Sequence, residues 1–272
     1  MSCAFRCLYV CLTGEDELEV TVNDDCEVAK RIENFEERFS SLEFATLLEL
    51  EEKQTSLKRF RHSITLLPVA IKHDHKRFLE DSLSDITKVE SLDELFMHLN
   101  LYWNFLDYSL LEHIINRFGS ATLKQQMKTY ASDLFHFRKR TTVRQFVSNC
   151  PGSCCRRVEP PPPYFSKIMC KLDRKASEYT LEELEQTRKK FCREFSLSEF
   201  VVTLGDIEDG SVTVWWIVPS VIVPELTTAV RNRAATFVED CRVLLLAVDG
   251  RCVFDRQKGV MAKVCLLFVF VL

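Results

Sequence analysis

The 272-residue chain is poor in glycine and in dispersed proline. It has 7 Gly and 8 Pro, four of the prolines consecutive at Pro160–Pro163. So little of either excludes a fibrous or low-complexity chain. It also leaves scant material for loops that cradle phosphate. Neither G-x-x-x-x-G-K-[ST] nor G-x-G-x-x-G occurs, and there is no G-x-S-x-G nucleophile elbow. Charge of one sign is lacking too. The formal net charge of −4 gives no overall pull towards nucleic acid or an anionic membrane. A spanning helix needs roughly 20 consecutive apolar residues. The longest run, Val264 to Leu272, is nine, so no transmembrane segment is expected.

Apolar residues are plentiful. The chain is 46% hydrophobic with 20 Phe, and its length suits two domains. Twelve cysteines resemble a disulfide framework in number. Yet Cys192, Cys241 and Cys265 sit inside periodic apolar stretches, and no secretory signal is evident. The cysteines therefore read as reduced core thiols of a cytoplasmic protein. Charge is uneven: residues 15–52 hold 14 Asp and Glu against 3 Lys and Arg, and residues 53–77 hold 7 Lys and Arg against one Asp. This polarity fits either partner docking or two solvated helix faces.

The fold class read from periodicity is α+β. Residues 1–26 are ambiguous: Leu18, Val20 and Val22 alternate as a short strand would. Residues 27–149 read as an all-α helical array. Ser91 with Glu94 has capping-box form, Asp107 stands at a helix start, Gly119 supplies a left-handed stop, Ser120 caps the next helix, and Thr142 with Gln145 opens a last short one. Residues 150–164 form a Pro/Cys-rich linker. Residues 165–256 read as a small α-β-β-α-β-β open-faced sandwich, with a capping box at Thr180 and Glu183 and hairpin turns at Asp209-Gly210 and Asp249-Gly250. The strand Val212 to Ile217 reads as central, and Pro224 as the first turn of a helix. Residues 257–272 are an apolar tail.

Candidate sites are few. His73-Asp74-His75 has zinc-ligand chemistry, but residues at i and i+2 diverge on a helix. Cys150, Cys154, Cys155 and Cys170 could supply four thiolates, yet lack paired C-x2-C knuckles. No catalytic, cofactor-binding or metal site is assigned, and an enzyme is disfavoured. Arg138-Lys139-Arg140 and Arg188-Lys189-Lys190 read as cations at helix C-terminal ends, so nucleic acid is not an expected partner. The densest feature runs from Leu101 to Ile115. There Trp103, Phe105 and Tyr108 are either core of the helical array or a partly exposed anchor for another protein.

Two stretches carry a resemblance. Trp103-Asn-Phe-Leu-Asp-Tyr108-Ser-Leu-Leu-Glu-His-Ile114-Ile-Asn-Arg-Phe118-Gly119, continuing through Leu123-Lys-Gln-Gln-Met127 to Thr142, resembles a helical module of multidomain proteins in cnidarians, sponges and fishes. Leu184 to Pro219, with Gly210-Ser-Val-Thr-Val-Trp-Trp-Ile-Val-Pro219, is similar to a companion α/β module of the same proteins. Such modules accompany death-fold, NTPase or kinase domains. The resemblance implies a protein-binding adaptor in innate-immune or apoptotic-type signalling, and brings no catalytic residue. The alternative is an enzyme or ligand-binding domain with a pocket between the two halves. A weaker one is nucleic-acid binding through the basic helix ends.

Overall fold

A computed structural model describes residues 16–53, 60, 90–99, 103–150, 165–208, 211–232 and 235–257. The His73–His75 triplet, Cys154 and Cys155, the proline run, the Asp209-Gly210 turn and the apolar tail lie outside these residues.

The N-terminal half is helical: α1 (Asp16–Glu52), α2 (Leu92–Leu99), α3 (Ser109–Phe118), α4 (Ala121–Arg140) and α5 (Val143–Asn149). Helix α1 is one continuous element of 37 residues, about 55 Å long at 1.5 Å per residue. It buries Ile32, Phe35, Phe39, Leu42 and Leu50, spaced by three, four or eight. The alternation at Leu18, Val20 and Val22, read above as a strand, is instead its first turns. No Gly or Pro interrupts the stretch, and extending a nucleated helix is easier than starting a strand.

Three predicted caps form. Ser120 Oγ accepts from Leu123 N, and full capping boxes stand at Thr142 with Gln145 and at Thr180 with Glu183. At α2, Ser91 Oγ accepts from Glu94 N, but the Glu94 carboxylate reaches the Glu90 N–H in place of the Ser91 N–H. Two expectations fail. Asp107 does not cap α3: Tyr108 holds that position with no side-chain cap bond, and Asp107 is buried. Gly119 is extended (φ −68°, ψ 157°), so its role is not a left-handed turn. A Cβ there would stand 2.7 Å from the Ile115 carbonyl oxygen. Close approach, rather than handedness, demands glycine.

The C-terminal half is a five-stranded antiparallel sheet with helices: β1 (Phe165–Lys175), α6 (Leu181–Glu194), β2 (Thr203–Glu208), β3 (Ser211–Pro219), α7 (Val223–Arg231), α8 (Thr236–Asp240), β4 (Val243–Val248) and β5 (Arg251–Asp255). The strand order is β2-β3-β1-β4-β5. The predicted α-β-β-α-β-β order thus missed the central strand. β1 follows the proline run without a turn signal of its own, and Lys167 and Lys171 on its half-exposed face break the apolar run. The single helix expected after Pro224 is two, α7 and α8. β3 is an inner strand as predicted, and Pro224 sits in the first turn of α7. Asp249 (φ 48°) and Gly250 (φ 77°) are both left-handed, as a two-residue hairpin between β4 and β5 requires.

The length suggested two cores, but the buried apolar residues of both halves form one connected cluster. The halves also share backbone bonds. Thr142 and Thr180 form an antiparallel bridge, with Val143 N donating to Tyr179 O (2.8 Å) and Leu181 N to Thr141 O (3.0 Å). Two capping boxes therefore stand side by side at the junction.

Candidate functional site

The most chemically concentrated place among the described residues is the seam between the halves. It is built on residues 103–108. Asn104 Oδ1 accepts from the N–H groups of Leu106 (2.9 Å) and Asp107 (2.8 Å), turning the chain back on itself. Tyr130 on α4 donates its hydroxyl to Phe105 O (2.6 Å), and Arg138 donates to Leu106 O. These bonds hold Asp107 where its carboxylate, 4% exposed, meets Arg188 of α6.

Arg188 is the hub. Its Nε and Nη2 donate to the two oxygens of Glu185, both at 2.8 Å, a bidentate fork. Its Nη1 donates to Val202 O (2.9 Å), to Glu199 O, and to Asp107 Oδ2 at 3.3 Å. Asp107 Oδ1 accepts from Ser109 Oγ (2.9 Å). Burial lowers the guanidinium pKa, but the Asp107 and Glu185 carboxylates outweigh it and the net shift is upward. Burial raises Glu185, yet Arg188 overturns that and holds it below the ordinary range. For Asp107, burial wins over the longer contact to Arg188, and its pKa rises.

These groups line a cavity of about 30 Å³ with Leu184, Leu204 and Trp216. Organic ligands occupy pockets of roughly 300–1,000 Å³. As formed by the described residues, the seam cavity is smaller than an organic ligand needs. An organic-sized cleft lies elsewhere, between α1 and α4, at about 350 Å³. Phe35 contributes to its wall, and Lys30, Arg31, Arg38, Asp133 and His136 line it. Arg38 pairs with Asp133 at 2.8 Å and stacks over Phe35 and Tyr130; Arg31 stacks over Phe137.

The predicted partner-binding residues belong to the interior. Trp103 is 4% and Phe105 3% exposed, so neither is the partly exposed anchor considered above. Trp103 packs edge-on against Phe96 (5.5 Å), and Phe105 against Phe146 (6.3 Å). Tyr108 is half-buried between Tyr130 and the Arg138 guanidinium. Among the described residues, the large apolar side chains that are exposed are Phe44 (61%), Leu48 (41%), Met97 (65%) and Phe135 (39%).

The two basic triplets part ways. Arg138-Lys139-Arg140 fills the last turn of α4 as its spacing implied, with Arg138 itself buried, whereas Arg188 lies mid-helix and is buried because α6 continues to Glu194. One signal pointed there: Arg188 occupies the same stripe as Leu181, Leu184, Phe191 and Phe195. A charge on an apolar stripe needs a buried partner.

Cys170, Cys192 and Cys241 are free and buried, and burial raises all three thiols, Cys192 to about 12 despite the nearby Arg188. They are inert core groups at neutral pH. Cys150 departs from the reduced reading: it is disulfide-bonded, to a partner outside the described residues. Among the described residues no three His, Cys, Asp or Glu gather as metal ligands, and no helix is long and apolar enough to cross a membrane. No family model, curated protein or solved structure matches the chain.

Proposed function

We propose that this chain is a protein-binding module whose partner docks on the outer face of α1. The observation that carries the reading is the pair Phe44 and Leu48. They lie one turn apart and are 61% and 41% exposed, on a face otherwise formed by exposed Glu33, Glu37, Ser40, Ser41 and Glu51. Neither side chain belongs to the buried cluster, into which α1 packs through Phe35, Phe39 and Leu42. A signalling or adaptor role is supported by the resemblance of the 103–142 and 184–219 stretches to modules of signalling scaffolds.

The test compares partners cross-linked to the wild-type chain in its native cells with those of Phe44→Ser/Leu48→Ser. The reading expects at least one abundant partner to fall tenfold or more, with an unchanged melting temperature. An identical partner profile sinks it.

A second reading is favoured by the α1–α4 cleft. Its volume suits a small ligand, and its stacked guanidiniums suit an anionic group. Titration with inorganic phosphate and with citrate, read by α4 amide shifts, tests it. Saturable shifts at Asp133 and His136 support it, and flat titrations remove it.

A further inference from the structure

We infer that the seam cavity is a built hydration site, in which one or two ordered waters bridge the Asp107 carboxylate, the Arg138 guanidinium and the Trp216 indole N–H. Three observations converge there. Trp216 is fully buried, lines the cavity, and its Nε1 finds no acceptor in the protein. An orphaned buried donor costs about 1–3 kcal/mol, so a core that keeps an indole here in place of a phenyl ring needs an acceptor for it.

Asp107 supplies the acceptor side. A carboxylate offers about four lone-pair sites. Asp107 is met only by Ser109 Oγ and by Arg188 at the long distance of 3.3 Å. Arg138 also lines the cavity and spends one N–H on Leu106 O. Donors and an under-coordinated acceptor thus surround the same space.

The size fits. A water needs roughly 10–15 Å³ of such space, and the cavity has about 30 Å³. Cavities lined wholly by aliphatic and aromatic carbon stay dry, whereas a polar one with two to four partners fills. A neutral occupant also fits the charge: the lining carries two carboxylates, Asp107 and Glu185, against two guanidiniums, Arg138 and Arg188. Those groups come from the 103–108 turn, α4, α6 and β3. Solvent therefore completes the contact between the helical half and the sheet.

The experiment is water-selective NOE and ROE spectroscopy on the ¹⁵N-labelled full chain, with Trp216→Phe used only to assign the indole signal among three tryptophans. The expected result is a water cross-peak at Trp216 Hε1 whose ROE sign marks a dipolar contact with long-lived water and not proton exchange. Leu204→Met, which extends a wall side chain into the cavity, should weaken that peak at least fivefold and lower the melting temperature. Absence of a dipolar peak in the wild type overturns the inference. So does a Leu204→Met protein that melts higher, the behaviour of a dry cavity being filled.

Discussion

Helices α1 and α6 break the amphipathic rule in opposite directions. α1 places Phe44 and Leu48 on its solvent face, and α6 places Arg188 on its buried stripe. The inward exception is satisfied entirely inside the molecule, by Asp107, Glu185 and two carbonyls. The outward exception finds no cover among the described residues. Buried charge must find its partners in the chain, because leaving water costs several kcal/mol per ion. An exposed Phe loses little by waiting for a partner from outside. The first exception should therefore control stability and the second association, and substitutions can separate the two.

The largest effect is expected from Arg188→Ala. It strands Asp107 and Glu185, and breaking one side of a buried pair costs about 3–5 kcal/mol. For a chain of this size that is on the order of 10 °C in melting temperature. Arg188→Met keeps volume but also strands the carboxylates, so it should recover little. If thermal unfolding shows Arg188→Ala within 2 °C of wild type, the seam is not the support argued for it.

Asp107 gives the next effect, and it has a sign. Its folded pKa lies above the ordinary 3.8. Stability from that group is therefore present in full below the unfolded value and is lost as pH rises through the folded one. Glu185, held below 4.5, contributes in the other sense: its share is present above the unfolded value and is lost as pH falls through the folded one. Asp107→Asn removes only the first dependence. Relative to the variant, wild type should lose melting temperature as pH is raised from about 3.8 towards neutrality. Parallel Tm–pH curves for the two proteins would refute the burial argument.

The same contrast shows what the residues declared in advance. The boxes at Thr142 and Thr180 were legible because a cap is a local contract between a hydroxyl and an amide three residues on. So was the Asp249-Gly250 turn, whose backbone handedness only a few residue types tolerate. The central strand β1 was legible only in part: Ile168, Cys170 and Leu172 alternate, but half-exposed lysines hid its place between β3 and β4. The seam was hidden for a different reason. Asp107 and Arg188 are 81 positions apart, and no local pattern says which distant carboxylate a stripe cation will meet. For Trp103 and Phe105 the choice between core and anchor stayed open, because aromatic density looks the same in both, and burial settles it for the core.

The capping boxes test the junction at a smaller scale. Removing one N-cap side chain typically costs about 1 kcal/mol. Thr180→Ala and Thr142→Ala should each lose roughly that amount in urea unfolding. Both caps border the same backbone bridge, so the double variant should depart from the sum by 0.5 kcal/mol or more, as expected of neighbours at about this scale. Strict additivity would mean that the bridge transmits nothing between the halves.

The smallest stability effect belongs to the outward exception. Phe44→Ser/Leu48→Ser removes two exposed side chains that pack on nothing essential, and surface substitutions of that kind usually stay within about 0.5 kcal/mol. Serine is itself a slightly poorer helix former, which adds a few tenths of a kcal/mol over two sites. The double variant should therefore melt within 2–3 °C of wild type, a range set by the size scaling of melting temperature. Its association should change far more than its stability, with partner occupancy down tenfold or more. If it instead melts as low as Arg188→Ala, Phe44 and Leu48 are covered by this chain itself, and the outer face of α1 is a packing surface.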